Sequence, residues 1–298
     1  MAALLCSRAS ELLVGTAQSI SVAEDLLRRA TAPESADAAM PLAMVVVAHP
    51  DDETIALGAR MGRFHEAHFV HITDGAPRNG EDSRSHGFSE LGDYRQARAQ
   101  ELAQMFAMAG LYLVSRSSLN FPDQEASLNL AEITRQLVPH IEHHQPDVIF
   151  THPYEGGHPD HDACAFAVHH AVELYRERGG KRPLILEATF YNAGPKGFGS
   201  GKFLDAQGAM PKVRYELSPV ERQRKHALIA CFTTQQDTLK GFQDATEQYR
   251  IAPVYDFSSK PHEGEVLYER YPWGMKSDRF CKLAVEAEMR LNEGNGTG

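Results

Sequence analysis

The sequence predicts an α/β fold: a doubly wound, mostly parallel sheet with helices on both faces. Two observations indicate this class. Over residues 41–178, apolar runs that are typical of buried strands alternate with segments of helical spacing. Polar clusters follow two of these runs, where open α/β sheets hold their functional sites. Outside this core we expect an N-terminal helical extension and a mixed C-terminal region.

Each element has its own signal in the apolar spacing and in the positions of glycine and proline. Residues 9–30 have helical spacing and residues 31–40 are typical of a linker, so the predicted division is an extension of residues 1–40 and a domain of residues 41–298. The expected core elements, in chain order, are a strand at 45–47, a short helix at 54–64, a strand at 69–73, a loop at 78–89, a helix at 92–110, a strand at 111–119, a loop at 120–124, a helix at 128–144 broken near Pro139, a strand at 147–151 and a helix at 163–178. The later region should contain a strand at 184–191, a glycine-rich loop at 194–201 and a helix at 219–232.

Net charge, apolar run length and cysteine spacing argue against several classes of protein. A formal net charge of −10 over 298 residues does not favour nucleic-acid binding, which requires a basic surface. The apolar start of the chain is interrupted by polar residues, and no apolar run reaches the ~18 residues of a membrane span. We therefore expect a cytoplasmic protein with reduced thiols. The four cysteines are far apart and form no CxxC pair: Cys6, Cys164, Cys231 and Cys281.

Two polar motifs at strand ends predict a metal site. The first is Ala-His-Pro-Asp-Asp-Glu at 48–53, and the second is His-Pro-Asp-His at 158–161. His49 and Asp52 lie three apart around a tight turn, and His161 could reach the same ion if the two strands are neighbours. Two imidazoles and one carboxylate suit zinc, and ferrous iron is also acceptable. Such an ion lowers the pKa of bound water from about 15.7 towards about 7.

Three residues beside these ligands are candidates for catalysis. Asp51 is a possible general base, and His158 could protonate a leaving amine or stabilise an oxyanion. Asp160 could orient one of the histidines, as carboxylates near metal ligands commonly do. Either motif alone could instead cap a helix, because carboxylates favour helix amino termini. The occurrence of both after strands favours a functional site.

Together, the motifs resemble those of the LmbE-like, or PIG-L, family of zinc-dependent N-acetylglucosamine deacetylases, over about residues 43–245. The resemblance implies a Rossmann-like fold without nucleotide binding, consistent with the absence of Gly-x-Gly-x-x-Gly after the first strand. It implies Asp51 as general base and His158 as an imidazolium that steadies the tetrahedral intermediate. The zinc ligands that it implies are His49, Asp52 and His161.

The same resemblance suggests where the substrate binds. Family members often hold the sugar with an arginine in the loop after the second strand, which here is either Arg78 or Arg84. Independently of the resemblance, the position of Asp123 after the third strand would let it contact substrate hydroxyls, cap a helix or stabilise a turn. Some members place a tyrosine two residues before the second motif; this chain has Gly156 there, and Tyr154 is the nearest tyrosine. The region after about residue 183 should complete the rim of the site.

We therefore expect a zinc-dependent amide hydrolase that uses metal-bound water to remove an acetyl group from an N-acetylamino sugar or a sugar conjugate. One alternative is a non-catalytic sugar-binding or metal-binding protein of the same fold. Another is a metal-dependent hydrolase of a different bond, such as a phosphoester, although two-metal phosphoesterases need more carboxylates than these motifs offer. An oligomer is possible, and the sequence does not identify the substrate.

Other polar and aromatic residues have weaker signals. Arg98 and Glu101 have the spacing of a pair on a solvated helix face, whereas Tyr191 and Trp273 could stack on a sugar. Six histidines outside the motifs are expected to be structural or exposed, without a chemical role: His65, His68, His71, His140, His143 and His144.

Overall fold

The computed structural model describes residues 17–194, 197–204, 210–242 and 245–294. The described helices are α1 (Ala17–Thr31), α2 (Asp52–Leu57), α3 (Glu81–Ser85), α4 (Leu91–Met108), α5 (Leu130–His144), α6 (Pro159–Glu177), α7 (Pro219–Ile229), α8 (Gln236–Leu239) and α9 (Ser277–Gly294). The described strands are β1 (Ala43–Val47), β2 (His68–Pro77), β3 (Ser115–Asp123), β4 (Val148–Thr151), β5 (Leu184–Ala188), β6 (Tyr191–Gly194), β7 (Gly197–Ser200), β8 (Lys212–Glu216) and β9 (Thr246–Ile251). Short 3₁₀ turns lie at Met61–Arg63, Ala126–Leu128, Thr233–Gln235 and Leu267–Arg270.

A seven-stranded sheet forms the centre of the molecule, in the order β3-β2-β1-β4-β5-β9-β8. The first five strands are parallel, and β9 and β8 extend the sheet in antiparallel pairs. β6 and β7 form a separate hairpin. The predicted fold class is confirmed. Strand order reverses between β1 and β4, which is where α/β sheets open a crevice for ligands.

The central strands are buried on both faces, which explains their continuous apolar runs. Every residue of β1 is buried, and it pairs with β2 on one side and β4 on the other. One core packs α5, α6 and α9 on the sheet through Leu137, Phe166 and Phe280. The opposite core packs α1, α2, α4 and α7 on the other face, through residues that include Leu27 and Phe106. Helices therefore cover both faces.

Some sequence-based boundaries are wrong. β3 runs over Ser115–Asp123 instead of 111–119, so the loop expected at 120–124 is strand as far as Asp123. The reason is the length of β2, which continues to Pro77 and pairs with β3 as far as Asp123. This pairing brings Asp123 to the carboxyl edge of the sheet.

Helices and later strands show further differences. The short helix expected at 54–64 ends at Leu57 and is followed by a separate 3₁₀ turn. α5 continues through Pro139, whose ring lies on the exposed face, where water can satisfy the carbonyl that loses its partner. The glycine-rich stretch expected to be a loop contains β7, because its backbone pairs with β6. Residues 9–16 of the first predicted helix lie outside the described residues. Among the described helices, none has both the length and the apolar content needed to cross a bilayer.

Candidate active site

The two polar motifs meet at the carboxyl ends of β1 and β4. These strands are adjacent and parallel, with Val45 opposite Phe150, so the turns that follow them share one edge of the sheet. The ring centroids of His49 and His161 are 5.3 Å apart, and those of His49 and His158 are 4.7 Å apart. A site divided over more than one hundred residues of sequence is thus assembled at the point where strand order reverses.

His49, Asp52 and His161 have the geometry of metal ligands. Each offers one ligand atom, and the three atoms lie within 4.8 Å of one another. Asp52 joins the two imidazoles, with Oδ2 3.2 Å from His49 Nδ1 and Oδ1 3.3 Å from His161 Nε2. His161 Nε2 is buried and has no hydrogen-bond partner among the described residues. An unpartnered imidazole nitrogen beside a buried carboxylate fits a divalent cation, because each ligand atom offers the ion a lone pair.

Asp160 holds His49 from the other side. His49 Nε2 lies 3.3 Å from Asp160 Oδ2 and 3.2 Å from Asp123 Oδ1. The carboxylate of Asp160 is fixed by backbone N–H groups of Gln124 and Ala126, at 2.7 and 3.1 Å. With the proton of His49 on Nε2, Nδ1 is free to bind an ion beside Asp52. This carboxylate–histidine arrangement is the usual support of a metal-binding imidazole.

Charges around His49 favour its protonated form in the absence of metal. Burial lowers the pKa of His49, but the carboxylates of Asp123 and Asp52 raise it well above the ordinary value. For Asp123, burial raises the pKa, but the charge and hydrogen bond of His49 dominate and lower it to about 2. Metal binding through His49 Nδ1 would therefore release a proton.

Asp51 is buried beside the metal-ligand set and has an unusual backbone conformation. Its φ of 148° and ψ of −24° lie where residues other than glycine are rarely found, at a cost of about 1–3 kcal/mol. The turn persists because the Asp51 carbonyl accepts hydrogen bonds from Thr54 and Ile55, which start α2. Burial raises the pKa of Asp51 to about 7, although the charge of Arg98 acts to lower it. This pKa suits a group that exchanges protons near neutral pH.

Arg98, on α4, is the main site residue that sequence reasoning missed. Only 2% of its surface is exposed. Its Nη2 donates to the Pro50 carbonyl at 2.8 Å and to Asp51 Oδ2 at 3.0 Å. Gly75 leaves the necessary room, because a Cβ there would lie 2.9 Å from both Arg98 Nε and Pro50 Cδ. Arg98 therefore holds the turn that carries Asp51.

The prediction that Arg98 and Glu101 lie on a solvated face is wrong. Both are buried in phase with Tyr94 and Met105, at spacings of four, three and four residues along α4. Glu101 accepts hydrogen bonds from the Thr233 hydroxyl at 2.6 Å and from the Thr234 hydroxyl and N–H. A helical face shared with buried Tyr94 and Met105 was the signal that could have identified both residues.

His158 caps the amino terminus of α6. Its Nδ1 accepts a hydrogen bond from the Asp160 N–H at 3.1 Å, which places the ring proton on Nε2. The ring packs against His49 and against Trp273, 4.4 Å away between centroids. Burial lowers the pKa of His158 to about 3, and the charge of His49 acts in the same direction. The geometry thus favours a neutral ring that donates a hydrogen bond, in contrast to the imidazolium implied by the resemblance.

A cavity of about 290 Å³ lies beside the ligand set, against Asp123 at the end of β3. Arg78 lines this cavity and pairs with Asp74 at 2.6 Å. Arg84 is instead exposed and donates to the Asn79 carbonyl at 3.2 Å, within its own loop. Of the two candidate arginines, Arg78 is thus the one at the cavity. The full lining is Pro77, Arg78, Asn79, Asp123, Gln124, Glu125, Leu128, Pro272, Trp273, Gly274, Met275 and Arg279.

Aromatic residues from the later part of the chain complete the site. Tyr191 packs against His161 with ring centroids 5.1 Å apart. The hydroxyl of Tyr154 donates to the Ser259 carbonyl at 3.0 Å and is held away from the ligand set. His152, behind the ligands, stacks on His161 at 3.9 Å and accepts the Ala48 N–H. Tyr191 is therefore the tyrosine in contact with a proposed ligand.

Comparisons of the sequence match part of this chain to known proteins. Residues 44–172 match the model of the PIG-L family, described as GlcNAc-PI de-N-acetylase. A probable N-acetyl-alpha-D-glucosaminyl L-malate deacetylase 2 of Bacillus subtilis (strain 168) is 30% identical over 152 residues. The match covers 47% of this chain and 63% of that protein, so the chain spans less than two thirds of this curated relative.

Solved structures show the same fold. The pseudoaglycone deacetylase Dbv21 superposes with a TM-score of 0.54 at 17% identity, covering 72% of this chain and 99% of that chain. The zinc inhibited form of a teicoplanin deacetylase superposes with a TM-score of 0.52 at 13% identity, with the same coverage. At these identities the likeness establishes the architecture.

Proposed function

We propose that this chain is a metal-dependent N-deacetylase acting on an N-acetylated amino sugar or a sugar conjugate, as the match of residues 44–172 to the PIG-L, LmbE-like family model supports. The curated relative is a probable deacetylase of a glucosaminyl malate, which supports this substrate class. The observation that carries the proposal is the convergence of His49, Asp52 and His161 on one point, with the Asp51 carboxylate alongside. A metal-ligand set next to a carboxylate that can exchange protons near neutral pH supports hydrolysis by an activated water.

The proposed ion is zinc, held by His49 Nδ1, Asp52 and His161 Nε2, with ferrous iron as the second choice. The donor set of two imidazoles and one carboxylate supports both metals. When bound, such an ion would polarise the acyl carbonyl and acidify a water molecule. Asp160 would keep His49 in the ligating tautomer through the contact at Nε2.

Asp51 is the proposed general base. Its carboxylate accepts a proton from the water that attacks the acyl carbon, and the new C–O bond forms as the carbonyl becomes an oxyanion. Asp51 then returns that proton to the amide nitrogen, so that the C–N bond breaks and acetate and a free amine leave. Proton transfer of this kind contributes about 10²–10⁴-fold to the rate. Arg98 stabilises the carboxylate form of Asp51 between turnovers.

His158 is proposed to stabilise the oxyanion through its Nε2–H. Its Nδ1 is occupied by the Asp160 N–H, and packing against Trp273 fixes the ring plane. A pre-positioned donor requires no reorganisation as charge develops on the carbonyl oxygen. A neutral donor also avoids placing a second full positive charge beside a divalent cation.

The cavity beside Asp123 is the proposed sugar subsite. Trp273 offers an aromatic face, Asp123 offers an acceptor to sugar hydroxyls, and Arg78 stands in the wall. The cytoplasmic location, the oligomeric state and the domain boundary at residue 40 stay predictions.

The proposal is tested by acetate release from a panel of N-acetylglucosamine conjugates. The protein is stripped by a chelator and reloaded with Zn²⁺ or Fe²⁺, and Asp51→Asn serves as the matched inactive variant. Release that is abolished by chelation, restored by metal and lost in Asp51→Asn supports the deacetylase. A metal-loaded protein that binds a sugar of the panel without releasing acetate would instead be the non-catalytic sugar-binding protein.

A further inference from the structure

A second cluster of imidazoles lies at the opposite edge of the sheet. His68 is the first residue of β2, and His140 and His144 lie in the last turns of α5. His68 Nε2 is 3.1 Å from His140 Nδ1, and the rings of His68 and His144 stack with centroids 3.8 Å apart. One ring nitrogen from each residue lies within 4.8 Å of the others. Because the cluster is at the amino end of β2, it is separate from the site at the carboxyl ends.

The helix brings two of these imidazoles together by its own geometry. His140 and His144 are four residues apart, so both side chains project from one face of α5. They lie in the last turns of the helix, where the free carbonyl groups favour a positive charge. Leu137 and Ile141, on the same helix, are buried in the core, which fixes α5 against the sheet. Two chelating side chains are thus held facing the start of β2.

His68 is oriented as metal-binding histidines usually are. Its Nδ1 lies 2.8 Å from the Ser115 hydroxyl, at the start of β3. With Nδ1–H donating to that oxygen, the lone pair of Nε2 points towards His140. Burial lowers the pKa of His68 to about 3, and the neighbouring imidazoles add to the effect. All three pKa values lie below the ordinary value, so the rings are neutral and available as ligands at pH 7.

We propose that His68, His140 and His144 bind a transition-metal ion, of which Zn²⁺ is the expected one, at a site distinct from the catalytic ligands. A tetrahedral zinc ion with Zn–N bonds of about 2.0–2.1 Å places its nitrogen ligands about 3.4 Å apart. The pair at 3.1 Å is already close to that separation. His140 and His144 are partly exposed, so their rings can rotate out of the stack to direct their lone pairs at the ion. Water would take the fourth position.

An ion at this site ties the start of β2 to the end of α5, two segments about seventy residues apart in sequence. Because it binds the folded state alone, it stabilises that state by RT ln(1 + c/Kd), where c is the free Zn²⁺ concentration and Kd is the dissociation constant of the site. At a Zn²⁺ concentration about 100-fold above the dissociation constant, we expect Tm to rise by about 4 °C. The proposed role is a structural one, independent of deacetylation.

The test counts Zn²⁺ bound to the full chain by equilibrium dialysis and measures Tm with and without Zn²⁺. The variants are His140→Ala and His144→Ala. His143→Ala is the matched control, because His143 is exposed on the same turn and its ring contacts that of His144, but it is not one of the three proposed ligands. We expect wild type and His143→Ala to bind one equivalent of Zn²⁺ more than either cluster variant. Their rise in Tm on addition of Zn²⁺ should also be larger than that of the cluster variants, by about 4 °C. Any catalytic ion is common to all four proteins, so the difference in stoichiometry reports this cluster alone.

Equal Zn²⁺ binding by all four proteins would overturn the proposal. So would a loss in His143→Ala equal to that in His140→Ala, because the effect would then belong to the helix end and not to the cluster. The two cluster variants check each other. Each removes one ligand at a partly exposed position, so both should lose the same equivalent of Zn²⁺.

Discussion

Replacement of Arg98 by methionine should move the acid limb of the pH–rate profile to higher pH. The Arg98 guanidinium lies 3.0 Å from Asp51 Oδ2 and favours the ionised carboxylate. Without that charge the pKa of Asp51 rises, and a higher pH is needed to keep the base deprotonated. Methionine retains much of the volume of the arginine stem, so the change acts mainly through charge.

The expected size follows from the geometry of the pair. Two unit charges about 4 Å apart interact by about 4 kcal/mol at an effective dielectric constant of about 20. One pKa unit corresponds to about 1.36 kcal/mol, so the upper limit of the shift is about 3 units. Relaxation around the smaller, uncharged side chain reduces this value. We expect the acid limb to move upward by about 1–3 pH units. At a pH below the limb, kcat/KM should therefore fall by about 10–1000-fold.

The assay is kcat/KM for acetate release against pH, which reports ionisations of the free enzyme. Arg98→Lys retains a charge and should shift the limb less. Arg95→Met is the control, because Arg95 is half exposed on the same helix and pairs with Asp74 at 2.7 Å. Tm and metal content must accompany each profile, since breaking a buried pair can cost about 3–5 kcal/mol. An Arg98→Met enzyme with a lower plateau and an unmoved limb would refute the electrostatic reasoning.

Three further predictions test the other roles. Asp51→Ala should lower kcat by about 10²–10⁴-fold while elemental analysis finds the metal retained; loss of the ion would make Asp51 a ligand. Asp160→Asn should weaken metal affinity by about 10–100-fold in competition with a chelator, because His49 loses a carboxylate partner. Unchanged affinity would place the orienting role on Asp123. Trp273→Ala should raise KM for sugar substrates more than it lowers kcat, and Tyr271→Ala, stacked outside it at 4.5 Å, should change KM less. A fall in kcat alone would show that Trp273 acts through His158.

The two motifs could be located from the sequence because the first follows a wholly apolar strand and the second follows a strand that is apolar except for Thr151. β1 and β4 are buried on both faces, and such strands need no alternation of polar and apolar residues. β3 is different: it is an edge strand with mostly half-exposed residues, and its apolar pattern does not define its start. Its true limits came from pairing with β2, a contact between distant segments. That pairing cannot be read from one sequence, and it is what places Asp123 at the site.

The sequence did not predict the role of Arg98, for a related reason. A charged residue on a helix is usually solvated, and the spacing of residues along α4 did not show that Arg98 is an exception. Burial of Arg98 depends on Gly75, on a different strand end, which leaves room for the guanidinium. Its acceptors are the Pro50 carbonyl and Asp51, a turn almost fifty residues away in sequence. Both the space beside Gly75 and the two acceptors depend on contacts between segments that are distant in sequence.

The state of His158 links these observations. The resemblance implies a charged ring, but His158 is buried against His49, with a pKa of about 3. A divalent cation bound by His49 and His161 would act in the same direction as His49, because it disfavours a positive charge on a nearby ring. His158 would then be neutral and would contribute no limb to the profile. Asp51, the proposed base, would then give the acid limb, and the shift of that limb in Arg98→Met would report the pKa of Asp51.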